Sequence, residues 1–205
     1  MSRLEVRKTH KLFIGGAFPR SESGRTYEVT AADGSFIANV AQASRKDARD
    51  AVLAARAAFA KWSSATAYNR GQVIYRIAEV MEGRRDQFIS EIEQGEGVST
   101  KKAAQQVDTA IDRWVWYAGW ADKYAQVLGN TNPVAGPFFN FSIPQPIGVV
   151  AAVAPQDHSI LGLVSVMAPI ITTGNAVIVM PSSSAPIPAI TLAECLATSD
   201  VPRAW

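Results

Sequence analysis

IGVVAAVAPQDHSILGLVSVMAPIITTGNAVIVMPSSSAP, residues 147–186, decides the fold. Gly148 to Ala154 is a short run of Val and Ala, apolar on both faces as a parallel strand covered by helices would be, and Pro155 stops it. Ser159 to Thr173 has helix length, with Ser159 as expected N-cap and Gly174-Asn175 as C-terminal punctuation. Ala176 to Met180 is then a second buried strand, closed by Pro181. The three pieces make one βαβ unit. In such a sheet a ligand sits beyond the strand carboxyl ends, here the loops Ala154 to His158 and Met180 to Ser184. Every α/β protein has loops of this kind and Ser-rich turns also cap helices, so position alone leaves ligand site and plain turn both open.

Upstream, Lys11 to Phe18 alternates loosely before Gly15-Gly16 and Pro19, which predicts a strand entering a turn. Arg25 to Val40 predicts two strands about the Asp33-Gly34 turn. Ser44 opens a helix with Asp47 in its first turn, an apolar face of Ala48, Ala51, Val52, Ala55 and Phe59, and Trp62 closing it against the core. A helix from Thr66 or Asn69 carries Val73, Ile77, Val80 and Met81, then Phe88, Ile89 and Ile92, and is expected to break near Gly83. Ser99 starts a further helix running through DTAIDRWVWYAGWADKYA. Its aromatics Trp114, Trp116, Tyr117, Trp120 and Tyr124 are read as core and interface packing, since no basic stripe interleaves them as a base-stacking platform would require. Asn130 to Pro146 is a linker rich in Pro, Gly and Asn, with a short strand over Phe138 to Ile143.

Composition narrows the function classes. The chain has 205 residues, 48% of them apolar, and a net charge of +2, too small to recruit nucleic acid. The uncharged run from His158 to Ala193 is broken by Pro169, Gly174-Asn175 and Pro181, so it falls short of the roughly 20 continuous apolar residues a membrane span needs. A single cysteine, Cys195, excludes an internal disulfide and a cysteine-based zinc site, and its apolar helical neighbours mark a buried structural thiol. No metal site is expected. The charged N-terminus has no signal-peptide hydrophobic region, which predicts a cytoplasmic protein.

The frame QPIGVVAAVAP, APIITTGNAVIV and Pro181-Ser182, with the upstream KLFIGGAF, resembles the aldehyde dehydrogenase superfamily over Lys11 to Val201. The resemblance implies an α/β fold of N-terminal helices and short strands plus the first βαβα part of a Rossmann-like cofactor domain. It divides the chain into N-terminal strands (1–43), a helical part of the cofactor-binding domain (44–129), a linker with an oligomerisation strand (130–146) and an incomplete βαβα unit (147–205). It implies NAD or NADP as cofactor, a homo-oligomer or a partner dehydrogenase subunit, and oxidation of an aldehyde to an acid.

Family site residues carry over with substitutions. The cofactor loops are Ala154, Pro155, Gln156 and Met180, Pro181, Ser182, Ser183. In active members an Asn donates its amide to the oxyanion formed on a catalytic Cys; the matching residue is Asp157, whose ionised carboxylate would repel that oxyanion. The family's Trp is Gln156, its ribose-contacting Lys is Met180, and a following acidic residue is Ser183. The family's nucleophilic Cys and general-base Glu match no position here. Asp157-His158 as an acid/base pair is disfavoured, because neighbours on a turn point apart. The resemblance therefore predicts weak or absent cofactor binding and no turnover by this chain alone, or a non-catalytic interaction subunit. ATSDVP approaches the family's Pro-Gly-Val-Val-Asn turn, but Arg203-Ala204-Trp205 follows Pro202. Were Gly-Val-Val-Asn encoded as GGC GTG GTG AAC, one inserted C would read Arg-Ala-Trp-stop, so a frameshift is one expectation there, with a natural short subunit and a fragment of a longer chain as the alternatives.

Overall fold

The computed structural model describes residues 8–199, so the reading of Pro202 to Trp205 lies outside the described residues. A small N-terminal sheet comes first: β1 (Thr9–His10), β2 (Thr26–Thr30) and β3 (Phe36–Ala41), in the order β1-β3-β2. The hairpin expected about Asp33-Gly34 is present. Gly34 takes φ 84°, and the Asp33 carboxylate accepts the Ser35 amide and hydroxyl at 2.9 and 2.6 Å. The turn expected at Gly15-Gly16 is present, but the strand expected to lead into it from Lys11 is corrected. Pairing belongs to Thr9–His10, and Ile14 bridges Ala17 around Gly15 and Gly16, at φ 60° and 75°. Two successive left-handed glycines reverse the chain within two residues, so no strand can run through them.

Helix α1 (Arg45–Ser63) begins at a complete capping box. Ser44 Oγ accepts the amides of Lys46 and Asp47, while Asp47 Oδ2 accepts the Ser44 amide at 2.8 Å and the Ser21 hydroxyl at 2.7 Å. The Ser44 amide, helped by Ser21 and the Glu22 amide, holds the Asp47 carboxyl down at about 2 against the opposing effect of burial. A depressed carboxyl pKa stabilises the fold fully above the unfolded value of about 3.9. That stability is expected to drain away as pH falls from about 4 towards 2, and an Asp47→Asn variant to lose the slope; urea titrations at stepped pH read it. The buried stripe of α1 is Ala55, Ala58 and Trp62. Ala48, expected on that face, is exposed, because Asp47 and not Ala48 takes the first-turn place in the buried stripe that continues through Ala55, Ala58 and Trp62.

α2 (Ala67–Glu82) starts at Thr66, whose hydroxyl accepts the Asn69 amide, and ends at Gly83, the expected break. α3 (Arg85–Glu96) stops at Gly97 in the left-handed conformation. α4 (Thr100–Trp120) ends five residues before the sequence expectation, and a separate α5 (Tyr124–Leu128) follows a turn. Ile74, Ile77, Met81, Phe88, Ile92 and Trp114 are fully buried between these helices. The aromatic cluster splits: Trp114 is core, Trp116 is 55% exposed, and Trp116 contacts both Tyr117 and Trp120.

The linker contains two strands, where one was expected: β4 (Asn130–Asn132) and β5 (Asn140–Ser142) pair as an antiparallel hairpin. The βαβ unit is then β6 (Val149–Val153), α6 (Ser159–Thr172) and β7 (Ala176–Met180), strands parallel and in register from Val149–Ala176 to Val153–Met180. α7 (Ile187–Thr198) follows. Asn175 explains the Gly-Asn punctuation: its Oδ1 accepts the amides of Ile147 and Gly148 at 2.8 and 3.1 Å, anchoring the start of β6. The expectation that β6 is buried on both faces is corrected, since Ala151 and Val153 are exposed. Two residues apart on a strand, these side chains share one face of the sheet, which is left open there.

Candidate functional site

The two loops after β6 and β7 meet, and Gln156 joins them. Its side-chain Oε1 accepts both the amide and the hydroxyl of Ser183, at 2.9 and 3.0 Å. Its backbone carbonyl accepts the Ser182 hydroxyl at 2.9 Å, and Ser182 Oγ in turn accepts the Ala185 amide and contacts Ser184 Oγ. The Ala154 amide bonds the Met180 carbonyl, extending the ladder by one rung. Ala154 and Ser182 are buried and Pro181 half-buried, whereas Pro155, Gln156, Asp157, Met180 and Ser183 are exposed.

Loop 154–158 lies down on α6 because Gly162 has no side chain. A Cβ there would stand 3.1 Å from the Pro155 ring and 3.4 Å from the Asp157 carbonyl. His158 takes φ 54°, ψ 56°, the left-handed region that a non-glycine residue enters at a cost, and it occupies the N-cap position assigned from sequence to Ser159. Ser159 is instead the first residue of α6. Its amide and hydroxyl donate to Glu96 Oε1 at 2.8 and 2.6 Å, a partner that nothing in the local sequence announced. Asp157 and His158 are both exposed, and among the described residues no hydrogen bond joins their side chains.

Chemically, the arrangement offers an exposed carboxylate at Asp157 and an exposed thioether at Met180. Met180 supplies no donor to a ribose, and the polar groups of Ser183 are turned onto Gln156. Among the described residues no group of three metal-ligating side chains is found, and no helix is long and apolar enough to cross a membrane.

Away from the loops, Cys195 is buried, 3.9 Å from the Arg84 guanidinium, which bonds Glu194 at 2.7 Å; burial pushes its thiol pKa up. Beside it, burial also raises the Glu91 carboxyl, although Thr191 and Gln87 donate to Oε1 at 2.8 Å each. Glu91 Oε2 is buried without a partner. A raised acid pKa means that the folded state binds the proton more tightly, so this carboxyl erodes stability as pH rises above about 4.3. A Glu91→Gln variant is expected to flatten that decline by keeping the acceptor for Thr191 without the charge; urea titrations between pH 4 and 8 measure it.

This sheet-and-helix frame, with its paired loops, is one found in dehydrogenases. The profile of the aldehyde dehydrogenase family matches residues 18–204, and the chain belongs to that family. It is 31% identical over 212 residues to the human cytosolic 10-formyltetrahydrofolate dehydrogenase, covering 99% of this chain and 23% of that protein. To omega-crystallin of Enteroctopus dofleini it is 32% identical over 200 residues, covering 95% of this chain and 40% of the crystallin. Among solved structures, the NAD+ complex of aldehyde dehydrogenase from Bacillus cereus superposes with a TM-score of 0.90 at 25% identity, over 95% of this chain and 40% of that one. The chain thus spans well under half the length of these relatives.

Proposed function

We propose that this chain is the N-terminal part of an NAD(P)-dependent aldehyde-oxidising system, and that by itself it binds the dinucleotide weakly and turns over no aldehyde. In this reading residues 44–129 and 147–205 belong to the cofactor-binding domain and 130–146 form an oligomerisation arm. The observation that carries it is the Gln156–Ser183 clasp beside an exposed Met180, which leaves the loop pair bonded to itself. Asp157, where the family places an oxyanion-binding Asn, adds a repelling charge. An unpaired, buried Cys195 accords with the reducing cytoplasm.

Calorimetric titration with NAD and NADP tests the cofactor half. The loss of one charged contact and one carboxylate, at roughly 1–3 kcal/mol each, is expected to leave affinity weaker than micromolar. Micromolar binding would refute it. Asp157→Asn combined with Met180→Lys is expected to tighten binding while turnover stays absent.

An interaction subunit is the second reading, and the β4–β5 hairpin favours it. Phe138, Phe139, Phe141 and Ile143 are 74%, 77%, 53% and 61% exposed. Apolar side chains gathered on an edge hairpin are normally covered, so a homo-oligomer or a complex with a partner dehydrogenase subunit is expected. A compact, thermally robust monomer by light scattering at micromolar concentration would count against it.

A further inference from the structure

Helix α6 is capped from outside itself. His158 stands at the N-cap position but makes no side-chain bond to the helix, and Ser159, the residue that sequence would choose as cap, donates rather than accepts. The acceptor is Glu96, the last residue of α3, 63 positions earlier in the chain. Its Oε1 receives both the amide and the hydroxyl of Ser159, and its Oε2 receives Gln106 Nε2 at 2.7 Å. A carboxylate at the amino end of a helix is favoured by the helix dipole and by the unpaired first-turn amides.

The carboxylate is held rigidly on both sides. Gly95 brings the last turn of α3 against the second loop, with an added Cβ 3.5 Å from Ala185 Cβ. Gly97, at φ 66°, itself lies against the β2–β3 turn, where an added Cβ would lie 2.4 Å from Ala32 Cβ. Gln106, on α4, is 5% exposed and steadies Oε2 from below. One short segment thus touches the second loop through Gly95 and fixes the first loop through Glu96.

We propose that Glu96 is the positioning residue of loop 154–158: by anchoring Ser159 it holds His158 in its left-handed conformation and sets where Asp157 stands. This rests on the reading of that loop as facing the aldehyde. The test below reads loop conformation directly, so its failure is separable from failure of the functional reading.

Glu96→Ala and Glu96→Gln are made in the full chain and followed by amide NMR and hydrogen exchange. In Glu96→Ala the Ser159 amide is expected to exchange about tenfold faster or more, the scale of one lost charge-assisted hydrogen bond. The Asp157 and His158 resonances should move with it, while the β2–β3 hairpin amides stay in place. Glu96→Gln retains an acceptor for Ser159, and its new amide can meet Gln106 Oε1, which is buried without a partner, once the Gln106 amide rotates. Rescue of the wild-type 157–159 pattern by Gln supports the assignment. Unchanged exchange at Ser159 in Glu96→Ala overturns it, and so does a loss of protection spread evenly along the chain, which marks a merely stabilising residue. If the Ala variant does not fold, Ser159→Ala decides: it removes the hydroxyl bond alone, and shifts confined to 156–160 support the proposal, whereas none overturn it.

Discussion

Replacing Trp62 by alanine is expected to lower the unfolding free energy by about 3–5 kcal/mol, the range for deleting a large aromatic from a packed core. Trp62 is 2% exposed, near the end of α1, and its indole Nε1 donates to the Ile171 carbonyl at 2.9 Å. It therefore ties α1 to the last turn of α6, where carbonyls lack partners within the helix. Arg70 works on the same spot from α2: its guanidinium, in a residue 6% exposed, donates to the Thr172 carbonyl at 3.2 Å and to the Ala65 carbonyl at 2.6 Å. Trp62→Phe keeps most of the apolar volume and removes the N–H, so a loss of about 1–2 kcal/mol is expected. Urea midpoints at unchanged m-value measure both, and equal losses in the two variants would mean that the hydrogen bond, not the packing, dominates.

Gly97→Ala is expected to cost about 2–5 kcal/mol, combining roughly 1–2 for an L side chain in the left-handed region with 1–3 for overpacking. The added methyl would lie 2.4 Å from Ala32 Cβ, and the Ala32 amide already bonds the Gln94 carbonyl at 3.3 Å. Relief needs the hairpin to move off α3. Gly95→Ala, two residues away, is the contrast. It sits inside α3, where the new methyl would meet Ala185 at 3.5 Å, an ordinary contact, so a gain of about 0.5–1 kcal/mol from helix propensity is expected. The pair is measured in one denaturation series. A Gly97→Ala variant as stable as the parent would show that this turn is not held as described.

Much of the architecture was legible because its signals are local. Ser44 with Asp47 announced α1, Gly83 the break between α2 and α3, Asp33-Gly34 the hairpin, and the Pro155 and Gly174-Asn175 punctuation the βαβ unit. Each depends on residues within a few positions of one another, where capping, left-handed φ and periodicity act. The errors fall where packing distant in sequence decides: the first strand formed at Thr9–His10, where it pairs with β3, and not in the residues leading into the Gly15-Gly16 turn, and Ala48 faced solvent beside a stripe that Asp47 opens.

For the candidate site, the sequence by itself determined which residues stand in the two loops, and its family resemblance set Asp157, Met180 and Ser183 against an expected amide, ammonium and carboxylate. Only the tertiary structure decided what those loops do with one another. It placed Gln156 across to Ser183, 27 residues on, and brought Glu96 from the end of α3 to the start of α6. The physical reason is that a hydrogen bond between side chains far apart in the chain leaves no periodicity, cap or turn signature; it exists only once the packing of α3, α4 and α6 has carried its two ends together.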